Sequence, residues 1–447
     1  MKLPLKTSLA ILTFAILIFA AGFIPGLSRA GLRAGTLRAA VRLRREIPQT
    51  PAKAPLVAEN LKPPAAPMPF LLDPNLSLRP FYEGLARTES GGGVTRVLHY
   101  GDSPVTADSI TADMRTMLQQ RFGDAGHGFV LIAKPWAWYG HRGVSLRASG
   151  WRIYPASQSR AHDGLHGLGG VSFEGKPGAW SRFNLDNPSH TQLEISFLRQ
   201  PGGGSLAVHA NDADIGEVAT DGESKTPDFA SIALPPGSKE IAITVRKGPV
   251  RLFGVSFQKE GPGIVYNSLG LNGGQVQVVV RYFDKQHWAA QLQHQHPDLV
   301  IINYGTNESI FPTYIDRYYA DELREVLRRV RAAVPNAAFL VMAPMDRGER
   351  DSTGEIVTVP ILPHVVDIQR KVALESGWAF FNTFEAMGGE GTMARWYVAQ
   401  PRLVTADFMH PLPGGAKRVG TLLDEALLDG YARYKAKQAP AKVAAKP

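Results

Sequence analysis

Short apolar runs recur along the chain at strand length: Val94–Tyr100, Ile264–Leu269, Asp298–Tyr304, Ala338–Ala343 and Trp378–Phe384. Runs of this length between turn residues read as buried strands. Stripes at helical spacing separate them. Ile110, Met114, Met117 and Leu118 follow the first run, and Leu323, Val326, Leu327 and Val330 form the clearest stripe, with Glu325 and Arg329 as an i, i+4 pair on its other side. Strands alternating with helices predict an α/β class: a mostly parallel sheet covered on both faces.

From about Gly143 to Gln258 the period changes. Short alternating runs (GVSFEG, LEISFL, SLAVHA, EIAITVRK, RLFGVSF) are separated by turns such as Pro201–Gly204 and Pro235–Gly237. This predicts an all-β sandwich of roughly a hundred residues, inserted between the first and second strands of the α/β unit.

The N-terminus has no amphipathic pattern. Lys2 and Lys6 precede a nearly unbroken apolar run from Leu9 to Ile24, a basic start and hydrophobic segment that predict export as a signal peptide or membrane anchor over residues 1–30. Residues 31–75 are basic, then proline-rich (Pro51, Pro55, Pro63, Pro64, Pro67, Pro69), which predicts an extended linker. The expected organisation is then a first α/β part at 76–142, the insert at 143–259, a second α/β part at 260–434 and a disordered Ala/Lys/Pro tail at 435–447. The 447-residue chain has no cysteine, which excludes disulfides, thiolate metal sites and a cysteine nucleophile. Its net charge is +9, of which residues 1–54 carry +8 and residues 435–447 carry +4, so the body between is about −3. A nucleic-acid-binding domain wears its basic patch on the folded part, so no nucleic-acid partner is expected. The basic ends suit an anionic membrane or wall polymer.

Candidate chemistry lies at the carboxyl ends of the predicted strands, where open α/β sheets place their ligands. Gly101-Asp102-Ser103 follows the first strand and opens a helix; Ser103-Pro104 by itself also reads as an N-cap with proline at the first helical position. Gly270 follows the second strand, where the lack of a β-carbon lets a backbone N–H approach a substrate oxygen, although a plain turn explains it equally. Asn307, in Gly305-Thr306-Asn307-Glu308, is either an oxyanion donor or a turn cap. Asp407 and His410 lie three apart before the last helix, so the carboxylate can fix the imidazole tautomer while the other ring nitrogen takes a serine proton. No Gly-x-Ser-x-Gly elbow occurs. His294-Gln295-His296 lacks acidic companions, so no metal and no cofactor are expected. Trp136 and Trp138 line the cleft for sugar stacking or pack as core, and Trp151 and Trp180 in the insert share that ambiguity.

Taken in order, these four blocks resemble the SGNH (GDSL-type) hydrolases, and more closely the periplasmic peptidoglycan O-acetylesterases of that superfamily, which carry a carbohydrate-module-like β-sandwich between the first two blocks. Tyr304–Glu308, and Ala386–Gly389 with Trp396, match that group as well. The resemblance implies a three-layer flavodoxin-like SGNH fold plus the inserted sandwich. It also implies Ser103 as nucleophile, His410 as general base, Asp407 as its orienter, and an oxyanion hole from the Ser103 and Gly270 N–H groups and the Asn307 side chain. Pro104 departs from the relatives and removes an N–H beside the nucleophile. The implied activity is removal of O-acetyl groups from a cell-wall or extracellular glycan, most of all peptidoglycan, in the periplasm or envelope, with the N-terminal segment as a possible inner-membrane tether. Two alternatives use the same residues or none: a glycan O-acetyltransferase with the same triad, and a non-catalytic glycan-binding scaffold.

Overall fold

The computed structural model describes residues 70–158 and 163–438. The expected export segment, most of the linker and the end of the tail lie outside these residues. Among the described residues, no helix is long and apolar enough to cross a membrane.

Seventeen strands divide between two main sheets and a small hairpin. In chain order they are β1 (Leu71–Leu72), β2 (Val94–Gly101), β3 (Gly126–Val130), β4 (Val144–Pro155), β5 (Val171–Leu185), β6 (Gln192–Arg199), β7 (Ser205–Ala210), β8 (Ala213–Ala219), β9 (Thr226–Ala233), β10 (Glu240–Lys247), β11 (Val250–Gln258), β12 (Gly263–Gly270), β13 (Leu299–Asn303), β14 (Ala338–Met342), β15 (Gly348–Arg350), β16 (Ile356–Thr358) and β17 (Ala379–Phe381). The first sheet has the order β1-β17-β14-β13-β2-β12, parallel throughout except for β1. Counting the parallel strands along the chain, this is the 2-1-3-4-5 order of doubly wound folds, with its switch point between β2 and β13. The five runs predicted as strands all form this sheet, within a few residues of their expected ends.

Alternate strand positions feed two separate cores. Leu98, Tyr100, Val300, Ile302, Val341 and Phe380 pack with the helices Ala320–Ala333 and Leu362–Glu375. Val97, Leu299, Ile301, Leu340 and Phe381 pack instead with Arg79–Glu89, Ser109–Phe122 and the long Pro413–Gln438 helix. A strand with both faces covered in this way favours apolar residues at most positions, as in the runs Leu299–Asn303 and Ala338–Met342.

Between β2 and β12, after the helix Ser109–Phe122, β3 to β11 form one nine-stranded antiparallel sheet, and the alternating runs predicted as strands lie within it. β5 pairs with β11 through Phe173–Gly175 and with β10 through Trp180–Asn184, so it serves two neighbours in succession on one side. Its buried Phe173, Phe183, Ile195, Val208 and Ile243 belong to the same core as one face of the parallel sheet. Three boundaries differ from expectation. β3 precedes residue 143 yet pairs with β11 of the insert. β1, within the stretch read as linker, adds an antiparallel edge to β17. Lys435–Gln438, read as tail, continue the last helix, where Lys435 reaches Glu89 at 3.0 Å.

Candidate active site

Three of the four predicted blocks start at one level of the sheet, because in the pairing of β2 with its neighbours Gly101 stands opposite Gly270 on one side and Asn303 on the other. The chain leaves β2 into a single four-residue helical turn, Ser103–Thr106. The Asp102 carbonyl accepts from Val105 N at 3.1 Å and Thr106 N at 3.0 Å. Pro104 fits this turn, since a first-turn N–H has no intrahelical acceptor to lose. Gly270 packs directly on it: a β-carbon there would lie 2.1 Å from Thr106 N, so only glycine is accommodated. Leu271 N donates to Gly101 O at 2.9 Å. By strand alternation the Gly270 N–H therefore points away from β2, at the open edge of the sheet.

The fourth block is a closed loop rather than a helical turn. Thr405 N donates to His410 O at 2.9 Å, Phe408 N donates to Thr405 O at 3.2 Å, and Val404 bridges Pro411. Closing so tightly puts Phe408 at a left-handed φ of 57°, a conformation that side chains other than glycine adopt at a cost. Its ring is held in exchange: it meets Tyr397 edge-on at 4.9 Å, and Arg350 lies 5.1 Å from its centroid. Gly348 N donates to Phe408 O at 2.8 Å.

These two turns meet. His410 Nε2 lies 2.8 Å from Ser103 Oγ, and His410 Nδ1 lies 2.7 Å from Asp407 Oδ2. The other Asp407 oxygen accepts from Thr405 Oγ1 at 2.5 Å, Met409 N at 3.0 Å and His410 N at 3.1 Å. Burial alone would raise the Asp407 carboxyl, yet the hydrogen bonds from Thr405, His410 and the backbone outweigh it and hold the group at about 2. A carboxylate, an imidazole and a hydroxyl in this sequence can move a proton off the hydroxyl.

Asn307 sits just after β13. Its amide donates to Gly274 O at 2.9 Å, tying the loop after β13 to the loop after β12. An amide nitrogen carries two hydrogens, so one remains for another acceptor. Trp138 is 56% exposed, whereas Trp136 is 7% exposed and packs in the core. Trp151 and Trp180 are half-buried, with Trp151 Nε1 donating to Trp180 O at 2.9 Å. His294 stands 2.9 Å from Glu194 and stacks on Phe229, away from the strand ends. Among the described residues no group of three or more His, Cys, Asp or Glu side chains is placed to hold a metal.

Two buried acids beside the site stand within the predicted blocks but were given no role by the sequence reading. Asp102 is raised to about 6 by burial, against the pull of Thr306, His410 and Arg347, and its Oδ2 has no partner. Glu308, 0% exposed, accepts from Val276 N at 2.8 Å with one oxygen and from Gly305 N at 3.1 Å with the other. Burial pushes it up to about 8, with the backbone donors opposing and Asp102 adding repulsion. Between its ordinary 4.5 and about 8 the folded protein holds a proton that the unfolded chain has lost, so this group costs stability increasingly as pH rises through that window. Glu308→Gln is expected to flatten the fall in thermal midpoint from pH 5 to 9. Below pH 5 the variant is expected to be less stable than wild type by about 1–3 kcal/mol, because an amide NH₂ then faces one of the two N–H donors. Thermal midpoints of both proteins across that range check this; parallel curves would contradict it.

Residues 236–418 match the GDSL-like Lipase/Acylhydrolase family model. The match begins near the end of the insert and leaves out Ser103. Among solved structures, one titled as a peptidoglycan O-acetylesterase in action is similar at 22% identity, over 81% of this chain and 99% of that one, with a TM-score of 0.71; the two share a fold. A Bacillus subtilis protein aligns at 13% identity over 64% of this chain and 90% of its own, with a TM-score of 0.34. A carbohydrate-binding module of Cellvibrio mixtus lichenase 5A aligns at 17% identity over 30% of this chain and 98% of its own, with a TM-score of 0.21. No curated protein sequence matches the chain.

Proposed function

We propose that this protein is an exported serine esterase of three-layer SGNH architecture that removes O-acetyl groups from a cell-envelope glycan, with peptidoglycan as the substrate. The observation that carries the reading is the continuous Ser103–His410–Asp407 hydrogen-bond chain across 307 residues of sequence. Ser103 Oγ attacks the ester carbonyl as His410 Nε2 takes its proton, and the tetrahedral oxyanion is held by the N–H groups of Ser103 and Gly270 and the free hydrogen of the Asn307 amide. The alcohol leaves with the proton from His410. Water, deprotonated by the same imidazole, then releases acetate. The GDSL-like family match supports acyl hydrolysis, and the fold shared with a peptidoglycan O-acetylesterase supports the choice of glycan. Export rests on the Leu9–Ile24 run, read as a signal peptide or a membrane anchor.

The test is acetate release from O-acetylated peptidoglycan, xylan and alginate. Peptidoglycan is expected to be the fastest substrate; release from xylan or alginate alone would move the substrate, and release from none would remove the reading. Mass spectrometry of a glycan incubated with an acetyl donor separates hydrolysis from transfer, because transfer adds one acetyl mass to the glycan.

A further inference from the structure

Arg347 is half-buried between two of the catalytic blocks, and the proposed mechanism gives it no role. It follows β14 in the loop Ala343–Arg347. Its Nη1 donates to Thr306 O at 2.7 Å and to Ser309 Oγ at 3.3 Å, on both sides of Asn307. Its own carbonyl accepts from Val359 N at 2.8 Å, and the next residue's N–H, that of Gly348, donates to Phe408 O at 2.8 Å. Residues 347 and 348 thus hold the Asn307 turn with one hand and the Asp407–His410 loop with the other.

We infer that Arg347 is a positioning residue that fixes Asn307 relative to His410, and so sets where the oxyanion donor stands when the serine attacks. The inference rests on the esterase reading above. Asn307 lies in a turn with one side-chain anchor, the bond to Gly274 O, and an amide on a single anchor swings. Bonds to the residues before and after it supply the missing constraint. A misplacement of an ångström at such a donor costs on the order of 10²-fold in rate. The guanidinium suits the task because one nitrogen, Nη1, carries two hydrogens held in the guanidinium plane and meets both acceptors.

The experiment measures kcat and KM on p-nitrophenyl acetate, with thermal midpoints, for the full chain and for Arg347→Met, Arg347→Lys, Asn307→Ala and the Met/Ala double variant. Arg347→Met is expected to lower kcat by about 10- to 100-fold with KM within about twofold of wild type. Arg347→Lys is expected to recover part of kcat. On the Asn307→Ala background the Met substitution is expected to change kcat by less than about threefold, since the two losses share one cause. Overturning results are a wild-type kcat for Arg347→Met, a rise in KM alone (a group that reads substrate rather than places a donor), or losses that multiply in the double variant. If Arg347→Met does not fold, a wild-type kcat in the Lys variant, or full multiplication of its loss with Asn307→Ala, overturns the inference in the same way. Ser103→Ala is measured alongside. If it stays active, the esterase reading falls and takes this inference with it; if it is dead while Arg347→Met is normal, this inference alone falls.

Discussion

Ser103→Ala is expected to lower kcat for acetate release by about 10⁴-fold or more while leaving the fold in place. Ser103 Oγ is the hydroxyl bonded to His410 Nε2, at 2.8 Å. Among the described residues His410 Nε2 has no other hydroxyl bonded to it. The side chain is 6% exposed and opens a helical turn whose backbone bonds do not involve it, so alanine there costs little stability. Acetate release from p-nitrophenyl acetate and labelling by a fluorophosphonate probe measure the effect together. A variant that keeps its rate within tenfold of wild type, or that still labels, would show that the nucleophile lies elsewhere. Unlabelled wild type would favour the non-catalytic scaffold.

The sequence made the parallel sheet legible for a physical reason. Leu299–Asn303 and Ala338–Met342 are buried on both faces and read as unbroken apolar runs, while Val94–Gly101 is mostly buried and carries Val97, Leu98 and Tyr100 into the first catalytic block. β3 was not legible. Its GHGFV holds Gly126 and Gly128 at φ 118° and 71°, and these glycines serve close packing on Phe257 O and Asn267, so the segment carries no strand pattern of its own. β1 is two residues long, too short for any period. At the site, the residues with reactive groups were readable and those that hold them were not. Arg347 and Thr405 act through bonds to residues whose neighbourhood only the folded chain creates, and nothing in their local sequence marks them; Glu308 stood within the quoted block, but its bonds to Val276 and Gly305 were not readable there. For Trp136 the sequence left sugar stacking and core packing open, and the folded chain places the ring in the core shared by the insert and the parallel sheet.

Asp407→Asn is expected to lower kcat by about 10⁴-fold with almost no change in thermal midpoint. The reason lies in how unequally the two carboxylate oxygens are used. Oδ1 accepts three hydrogen bonds, from Thr405 Oγ1, Met409 N and His410 N, so an asparagine must place its carbonyl oxygen there. The loop then keeps its closure, and stability with it. That choice leaves the NH₂ facing His410 Nδ1, where Oδ2 had accepted at 2.7 Å. Nδ1 must now accept, which moves the ring hydrogen to Nε2, and an Nε2–H cannot receive the proton of Ser103. The chemistry fails through a tautomer, with every heavy atom near its place. Asp407→Ala would behave differently: it frees three donors at once, so loss of activity would come with loss of stability. Measuring kcat and thermal midpoint for both variants separates the two cases. An Asp407→Asn protein within about tenfold of wild type would mean that the carboxylate serves the loop and not the imidazole.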